Sequence, residues 1–363
     1  MAAVAQMISI VGGYVARLFL ARLLVILVAL AALMVMADLL ANSDEIIETN
    51  QDVAWSLSRY SVLRLPAILA QVIPISVLLA SLTLLIGLAR HSELTAIFGA
   101  GLSHFRVILM LMPATLSIAV AQFLVEDQAV PPASARLRVW GVGDYKVFAA
   151  GASHHMTWVR QGANLVRIGR VEAARDEIFD VTIFHRDIEG QLIEKVEARS
   201  AAYDNGNWTL REVVRTDRDT GVPTRVARLT WPGAIESAVL HSLSIHPREL
   251  PWTEVKRLAG KSGYGNQPPY LYDVWIQKRI ARPLGTVLLV FLAVASVQRM
   301  HPRRPAGLML AAGIGIGFVY WIFDELVVTI GEAGLLPSVL AAWAAPFVLG
   351  AIATAMILRQ DGH

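Results

Sequence analysis

Six apolar runs, each long enough to cross a bilayer, constrain this chain more than any other feature: Leu23–Leu40, Leu63–Leu88, Val107–Val125, Val274–Val297, Ala306–Ile330 and Leu336–Leu358. A helix needs about 20 apolar residues to span the hydrocarbon core, and in lipid every backbone polar group must be paired within its own segment. The runs are therefore read as six transmembrane helices. Among 363 residues, 55% are hydrophobic and only 17% charged, well below the roughly 25% charged of soluble domains. Arg17 and Arg22 precede the first run as basic residues precede a signal peptide. Here the lead-in is long and amphipathic and the run spans a bilayer, which favours a retained helix. Pro66 and Pro74 are expected to kink the second run, and Pro113 interrupts the third.

Between the third and fourth runs the pattern changes. Asn164–Val171, Val181–Phe184 and Trp208–Val214 alternate apolar and polar residues, as half-buried strands do. Turn signals at Asp187–Gly190, Asp204–Asn207 and Asp219–Gly221 punctuate them. The fold class is thus a membrane α-helical protein of six transmembrane helices with an inserted all-β domain, an antiparallel sandwich or jelly-roll-like. The boundaries read as residues 1–125 for the first three helices, 126–270 for the strand domain and 271–363 for the last three.

Orientation follows from the short loops. One side collects Arg17, Arg22, Arg90, Arg106, Arg299, Arg303, Arg304 and Arg359, while the loop after the first helix is acidic with Asp44, Glu45 and Glu48. By the positive-inside rule both termini face the cytoplasm and the strand domain lies outside it. Without cysteine, neither a disulfide nor a thiolate metal site can form.

No catalytic constellation stands out. Gly260-Lys261-Ser262 has the ending of a phosphate-binding loop, but Val255 occupies the place of its first glycine and the segment belongs to the exported domain. His154-His155 lacks a third ligand at metal-binding spacing and reads as part of a surface strand. The chain is read as a non-enzyme without a cofactor or metal of its own. Work against a gradient would draw energy from another subunit.

Three groups of residues carry functional expectations. The first is a short helix at about 91–103, where Ser92 can cap and Glu93 faces the positive end of the helix dipole. Leu94, Ile97 and Phe98 form an apolar stripe with no evident core of its own, and Gly99 and Gly101 end the helix. It reads either as a docking helix for a partner or as a tight turn resting on lipid headgroups. The second group is basic, on the face where few cations are expected: Arg59 and Arg64 before the second span, Arg136 and Arg138 after the third, and Lys278, Arg279 and Arg282 opening the fourth. Such a ring suits an amphiphile with phosphates, and it equally suits headgroup anchoring. The third lies on the fifth span, with Gly307, Ala311 and Gly315 in one four-residue register and Gly313 and Gly317 in another. Small residues let a second helix approach closely, within the chain or across a mobile interface. Asp324 and Glu325 lie near the outer end of that span.

With these elements in order, the chain resembles the LptF/LptG permease family of lipopolysaccharide exporters over essentially its whole length. The resemblance rests on Ser92-Glu93-Leu94-Thr95 with Gly99-Ala100-Gly101, Asn164–Ile168, Leu243-Ser244-Ile245, Arg282-Pro283-Leu284 and Gly317–Tyr320 with Asp324. Tyr14–Arg17, Asp38 and the pattern around Gly317 to Asp324 are closer to the LptG branch than to LptF, with an LptF-like subunit as the alternative. The resemblance implies a heterodimer with an LptF-like permease, two LptB-like ATPase subunits that hold ATP and magnesium, LptC at one gate and an LptA bridge beyond. No nucleic acid is implied. It also implies that Glu93 is the acidic coupling residue of a helix docked on the ATPase. The first and fifth spans of opposite subunits would form lateral gates for lipopolysaccharide. One departure is that family members carry basic residues near the outer end of the first span, where this chain has Asp38, Asn42, Asp44 and Glu45. Two other readings accommodate part of the pattern: an exporter permease for another lipid or lipoprotein, and a membrane scaffold with an external sandwich.

Overall fold

The computed structural model describes residues 2–48, 52–99, 104–142, 145, 157–161, 164–172, 177–187, 189–204, 207–218, 220–231, 245–260, 268–298 and 306–361. His154, His155, Lys261, Ser262, Arg299, Arg303 and Arg304, and the Leu243-Ser244 pair, lie outside them. The chain divides into two compact units, one of residues Met1–Ser134 with Val274–His363 and the other of Ala135–Asp273.

Among the described residues, six helices are long and apolar enough to span a membrane. They are α1 (Ala2–Glu48), α2 (Val53–Arg90), α4 (His104–Leu124) with its continuation, α7 (Pro269–Gln298), α8 (Ala306–Glu332) and α9 (Ser338–Asp361). A short helix, α3 (Glu93–Gly99), follows α2. Pro66 and Pro74 sit inside an unbroken α2, and Pro113 inside α4.

The spans are unequally buried. The most apolar window is 67% buried in the second span and 72% in the fourth, but 11% in the first and 22% in the fifth. The second and fourth spans thus form the core. α2 packs against α1 on one side and α8 on another. One apolar cluster joins Leu78, Leu82, Leu85, Ile108, Leu292 and Ala353. A second joins Val15 and Phe19 of α1 to Val77, Leu84 and Leu111.

Two polar clamps also fix α1 to α2. Arg22 donates to the carbonyl of Thr83 and lies over Gly87, where a methyl group would stand 2.8 Å from the guanidinium. Farther along, Arg64 grips Asp38 with two hydrogen bonds, Nε to Oδ2 at 3.0 Å and Nη2 to Oδ1 at 3.3 Å. This fork-to-fork geometry is the strong form of an ion pair.

The third span does not stop at Val125. A π-turn, Val125–Ala129, leads without a break into α5 (Val130–Trp140). The helix therefore crosses the sequence-based boundary at 125/126, and the two units part at Ser134/Ala135 instead. The reason is that Glu126 and Asp127, which mark the end of the apolar run, do not break a helix when a polar network receives them.

Among the described residues the second unit contains six strands in one antiparallel meander, order β1 to β6: β1 (Thr157–Gln161), β2 (Asn164–Glu172), β3 (Glu177–Arg186), β4 (Leu192–Asp204), β5 (Asn207–Asp217) and β6 (Pro223–Trp231). This is the expected all-β insert, and among the described residues its strands follow one another without a Greek-key crossover. A helix, α6 (Trp252–Gly260), buries Val255 and Leu258.

The sheet carries a kink line. Gly169, Asp180, Arg199, Glu212 and Ala227 stand at one level across β2 to β6. Asp180 (φ 54°) and Glu212 (φ 50°) adopt the left-handed conformation there. In each of β3, β4 and β5 the buried positions step by three at this level instead of two: Ile178 to Val181, Ala198 to Ala201, Leu210 to Val213. One extra residue per strand keeps the same face buried on both sides of the line, which a strict period of two would reverse.

Candidate functional site

The short helix α3 is where the sequence places the energy-coupling contact. It begins at Glu93 after a turn in which Ser92 has φ 60°. The Ser92 carbonyl accepts the first helical bond from Ala96 N–H at 3.0 Å. Glu93 is half-buried, and its Oε2 accepts from the Tyr14 hydroxyl of α1 at 3.4 Å. Leu94 is buried among Val15, Phe19 and Leu88, and Ile97 packs against the cluster containing Val107 and Ile108. The expectation that this stripe lacks a core of its own is corrected: two of its members anchor α3 to the chain's own spans. Phe98 belongs to the helix but its side chain is outside the described set. Ser92, Ala96 and Gly99 form the exposed side. Tyr14, Leu94 and Ile97 thus hold α3 against the chain's own spans.

The expected basic ring is distributed differently. Arg64 holds Asp38 as described, so that the acid replacing the family's first-span cations and the base on the second span satisfy each other. Arg138 pairs with Glu249, which also accepts from the Tyr145 hydroxyl at 2.7 Å, inside the second unit. Lys278 pairs with Asp324 of the fifth span. Arg279 donates to the backbone carbonyl of Glu126 at 2.6 Å, and Arg282 to the Glu126 carboxylate at 3.3 Å. Lys278 and Arg279 retain only 1% and 4% exposure. Arg64, Arg138, Lys278, Arg279 and Arg282 thus have acceptors inside the protein. Arg59 and Arg136 are exposed.

The internal acceptors escaped the sequence reading. Gln122 and Glu126, one turn apart on the third span, are both buried. Gln122 Nε2 donates to Glu126 Oε1 at 3.4 Å, and Thr286 Oγ1 donates to Gln122 Oε1 at 2.7 Å. Trp275 Nε1 donates to Glu332 at 2.6 Å, and the Arg282 guanidinium lies 5.6 Å from the Trp275 ring centre. The sequence carries no clear signal for this, because a carboxylate that closes an apolar run reads as the end of the span.

The fifth span sorts its small residues by register. A methyl group on Gly313 or Gly317 would collide with Leu82 or Leu78 of α2, so that pair is taken up by internal packing. Gly307, Ala311 and Gly315 face outward, and nothing lies within 4 Å of where a side chain would begin on either glycine. Asp324 and Glu332 bind the same span to α7.

Six spans, a strand-rich insert between the third and fourth, a short helix anchored below the second, and an outward small-residue register on the fifth define a multi-pass permease subunit. The family model for the lipopolysaccharide export system permease LptF/LptG matches residues 13–359, and the chain belongs to that family. The lipopolysaccharide export system permease protein LptG of Haemophilus influenzae is 21% identical over 324 residues, covering 88% of this chain and 90% of that protein. LptG of Escherichia coli K12 is 21% identical over 280 residues, 75% of this chain and 77% of its own length. The chain is accordingly a lipopolysaccharide export permease subunit of the inner membrane, a transporter component and not an enzyme.

Proposed function

We propose that this chain is the LptG-type half of an ATP-driven lipopolysaccharide extractor, with an LptF-like permease as its other half and two LptB-like ATPases below. The observation that carries the reading is the split on the fifth span: one small-residue register is filled by α2, while Gly307, Ala311 and Gly315 remain open for a second helix. The first span is the other sparsely buried one. A first span and a fifth span from opposite subunits then form a lateral gate through which lipid enters. LptC sits at one gate, and LptA continues the path.

The stroke begins at α3. ATP and magnesium belong to the ATPase subunits, and closure there moves the helix carrying Glu93. Through Tyr14, Leu94 and Ile97 that motion reaches α1 and α2. Arg59 and Arg136 supply exposed charge for lipid phosphates, alongside the partner permease. With both termini cytoplasmic and the strand domain periplasmic, lipid leaves along the apolar face of the sheet. Exposure of its acyl chains to water would otherwise cost about 0.8 kcal/mol per methylene.

The test is a mild-detergent pull-down of the tagged chain, unmodified and as Glu93→Lys, with partners identified by mass spectrometry. We expect an ATP-binding subunit and a second six-span permease with the unmodified chain, and loss of the ATPase or of lipid release with the variant. Normal release by Glu93→Lys would remove Glu93 from the coupling path. Repeated recovery without an ATPase would favour the scaffold.

A further inference from the structure

The third, fourth and fifth spans meet in a buried charge network that the export reading does not use. On the fourth span, Trp275, Lys278, Arg279 and Arg282 occupy two consecutive turns. Arg279 and Arg282 point to the third span, where Glu126 accepts both, one through its backbone carbonyl and one through its carboxylate. Thr286 extends that seam to Gln122. Lys278 and Trp275 point to the fifth span and engage Asp324 and Glu332. Farther in, a methyl group on Gly285 would meet the Tyr320 hydroxyl at 2.5 Å, so fourth and fifth spans are in close contact below the charges as well.

The π-turn explains why the seam to the third span is possible. Glu126 belongs to Val125–Ala129, where the helical ladder shifts from four to five residues. Such a turn leaves a carbonyl poorly satisfied by its own helix and available to a donor from outside. Arg279 takes that carbonyl. Without the π-turn the Glu126 carbonyl would return to the helix, and Arg279, nearly fully buried, would lose this tie to the third span.

Position in the chain gives the network its meaning. The chain leaves the membrane unit at Ser134/Ala135 and re-enters at Asp273/Val274. The helix carrying Glu126 runs to the first crossing, and the helix carrying Lys278, Arg279 and Arg282 begins at the second. Both crossings are therefore tied to one set of charges. That set also holds the fifth span through Asp324.

We propose that Glu126, Arg279, Arg282, Lys278 and Asp324 form a clasp that makes the outer end of the fifth span move together with both chain crossings into the strand domain. On the export reading above, on which its physiological role rests, opening at the fifth span would be transmitted to the strand domain through this clasp. Breaking a buried ion pair leaves an uncompensated charge, so the clasp disfavours independent movement of its three helices.

Hydrogen exchange of the full chain in lipid nanodiscs tests this without any partner subunit. Asp324→Asn removes the carboxylate that holds Lys278, and Glu126→Gln the carboxylate that holds Arg282, leaving the Arg279 bond to the Glu126 backbone carbonyl in place. We expect Asp324→Asn to speed amide exchange by on the order of tenfold at 320–332 and also at 125–140, and Glu126→Gln to do the same in reverse. Effects confined to the substituted helix in both variants would overturn the clasp, whatever the transporter does. Should Asp324→Asn fail to fold, Glu126→Gln alone decides by its effect at 320–332. Co-purification of the ATPase tests the export reading separately, so failure of one leaves the other standing.

Discussion

The membrane unit and the strand unit of this chain place their charges oppositely. In the spans, Arg279 is buried against Glu126 and Lys278 against Asp324, while Leu24, Val28, Phe318 and Val319 face outward. In the sheet, Val166, Ile183, Trp208 and Leu210 are buried while Arg199, Glu212 and Arg215 stand in solvent. The difference teaches that one chemistry, an arginine beside a carboxylate, does unrelated work in the two solvents. In lipid the alternative to pairing is a bare charge, so the pair dictates helix position. In water the alternative is hydration, and the pair decides little.

The most forceful way to break the comparison is Lys278→Ala. Leaving Asp324 without its cation should lower stability by ~3–5 kcal/mol, read as denaturant unfolding of the full chain in detergent. The paired change Lys278→Met with Asp324→Met should recover most of that loss, because an apolar pair needs no counter-charge. Full stability of the single variant would mean that water reaches Asp324 and that the two units do not differ as argued.

How much of this was legible in the sequence depends on the same division. The spans were readable because apolar length is a local property, and so was the alternation of β2 and β5. The partners of the basic residues were not. Arg64 and Asp38 lie in different helices, as do Arg282 and Glu126, and charge type alone does not say whether a cation faces lipid phosphate or a carboxylate of its own chain. The apolar stripe of α3 was misassigned for a related reason: Leu94 and Ile97 have the spacing of a docking face, but which surface receives them is decided by α1, α2 and α4. Glu126 escaped because it looks like the end of a span. Only the π-turn, which leaves no clear sequence signature, turns it inward.

A change at the kink line tests the strand side with a smaller expected effect. A methyl group at Gly169 would stand 2.8 Å from Asp180 Cβ and 3.4 Å from the Phe179 carbonyl oxygen, neither of which is the loose end of a side chain. Asp180 is itself held at φ 54°, so it has little freedom to withdraw. Gly169→Ala should therefore cost ~1–3 kcal/mol, measured by thermal unfolding of the full chain. An unchanged transition would mean that the row is not locked in register and that the three-residue step in β3 to β5 has another cause.

The smallest effect is expected where the comparison is most direct. Arg199 and Glu212 face each other across β4 and β5 on the kink line, with Nη1 to Oε2 at 3.1 Å. Their contact distance resembles that of Arg282 and Glu126, at 3.3 Å. Their surroundings do not: the side chains of the sheet pair are 73% and 63% exposed, those of the membrane pair 15% and 7%. Arg199→Ala should therefore change stability by no more than about 1 kcal/mol, and by less at high salt, since water and ions already screen the pair. The same substitution at Arg282 should be insensitive to salt and far more costly. Equal losses at the two sites would show that geometry rather than solvent sets the strength of these pairs, and the contrast between the two units would fail at its foundation.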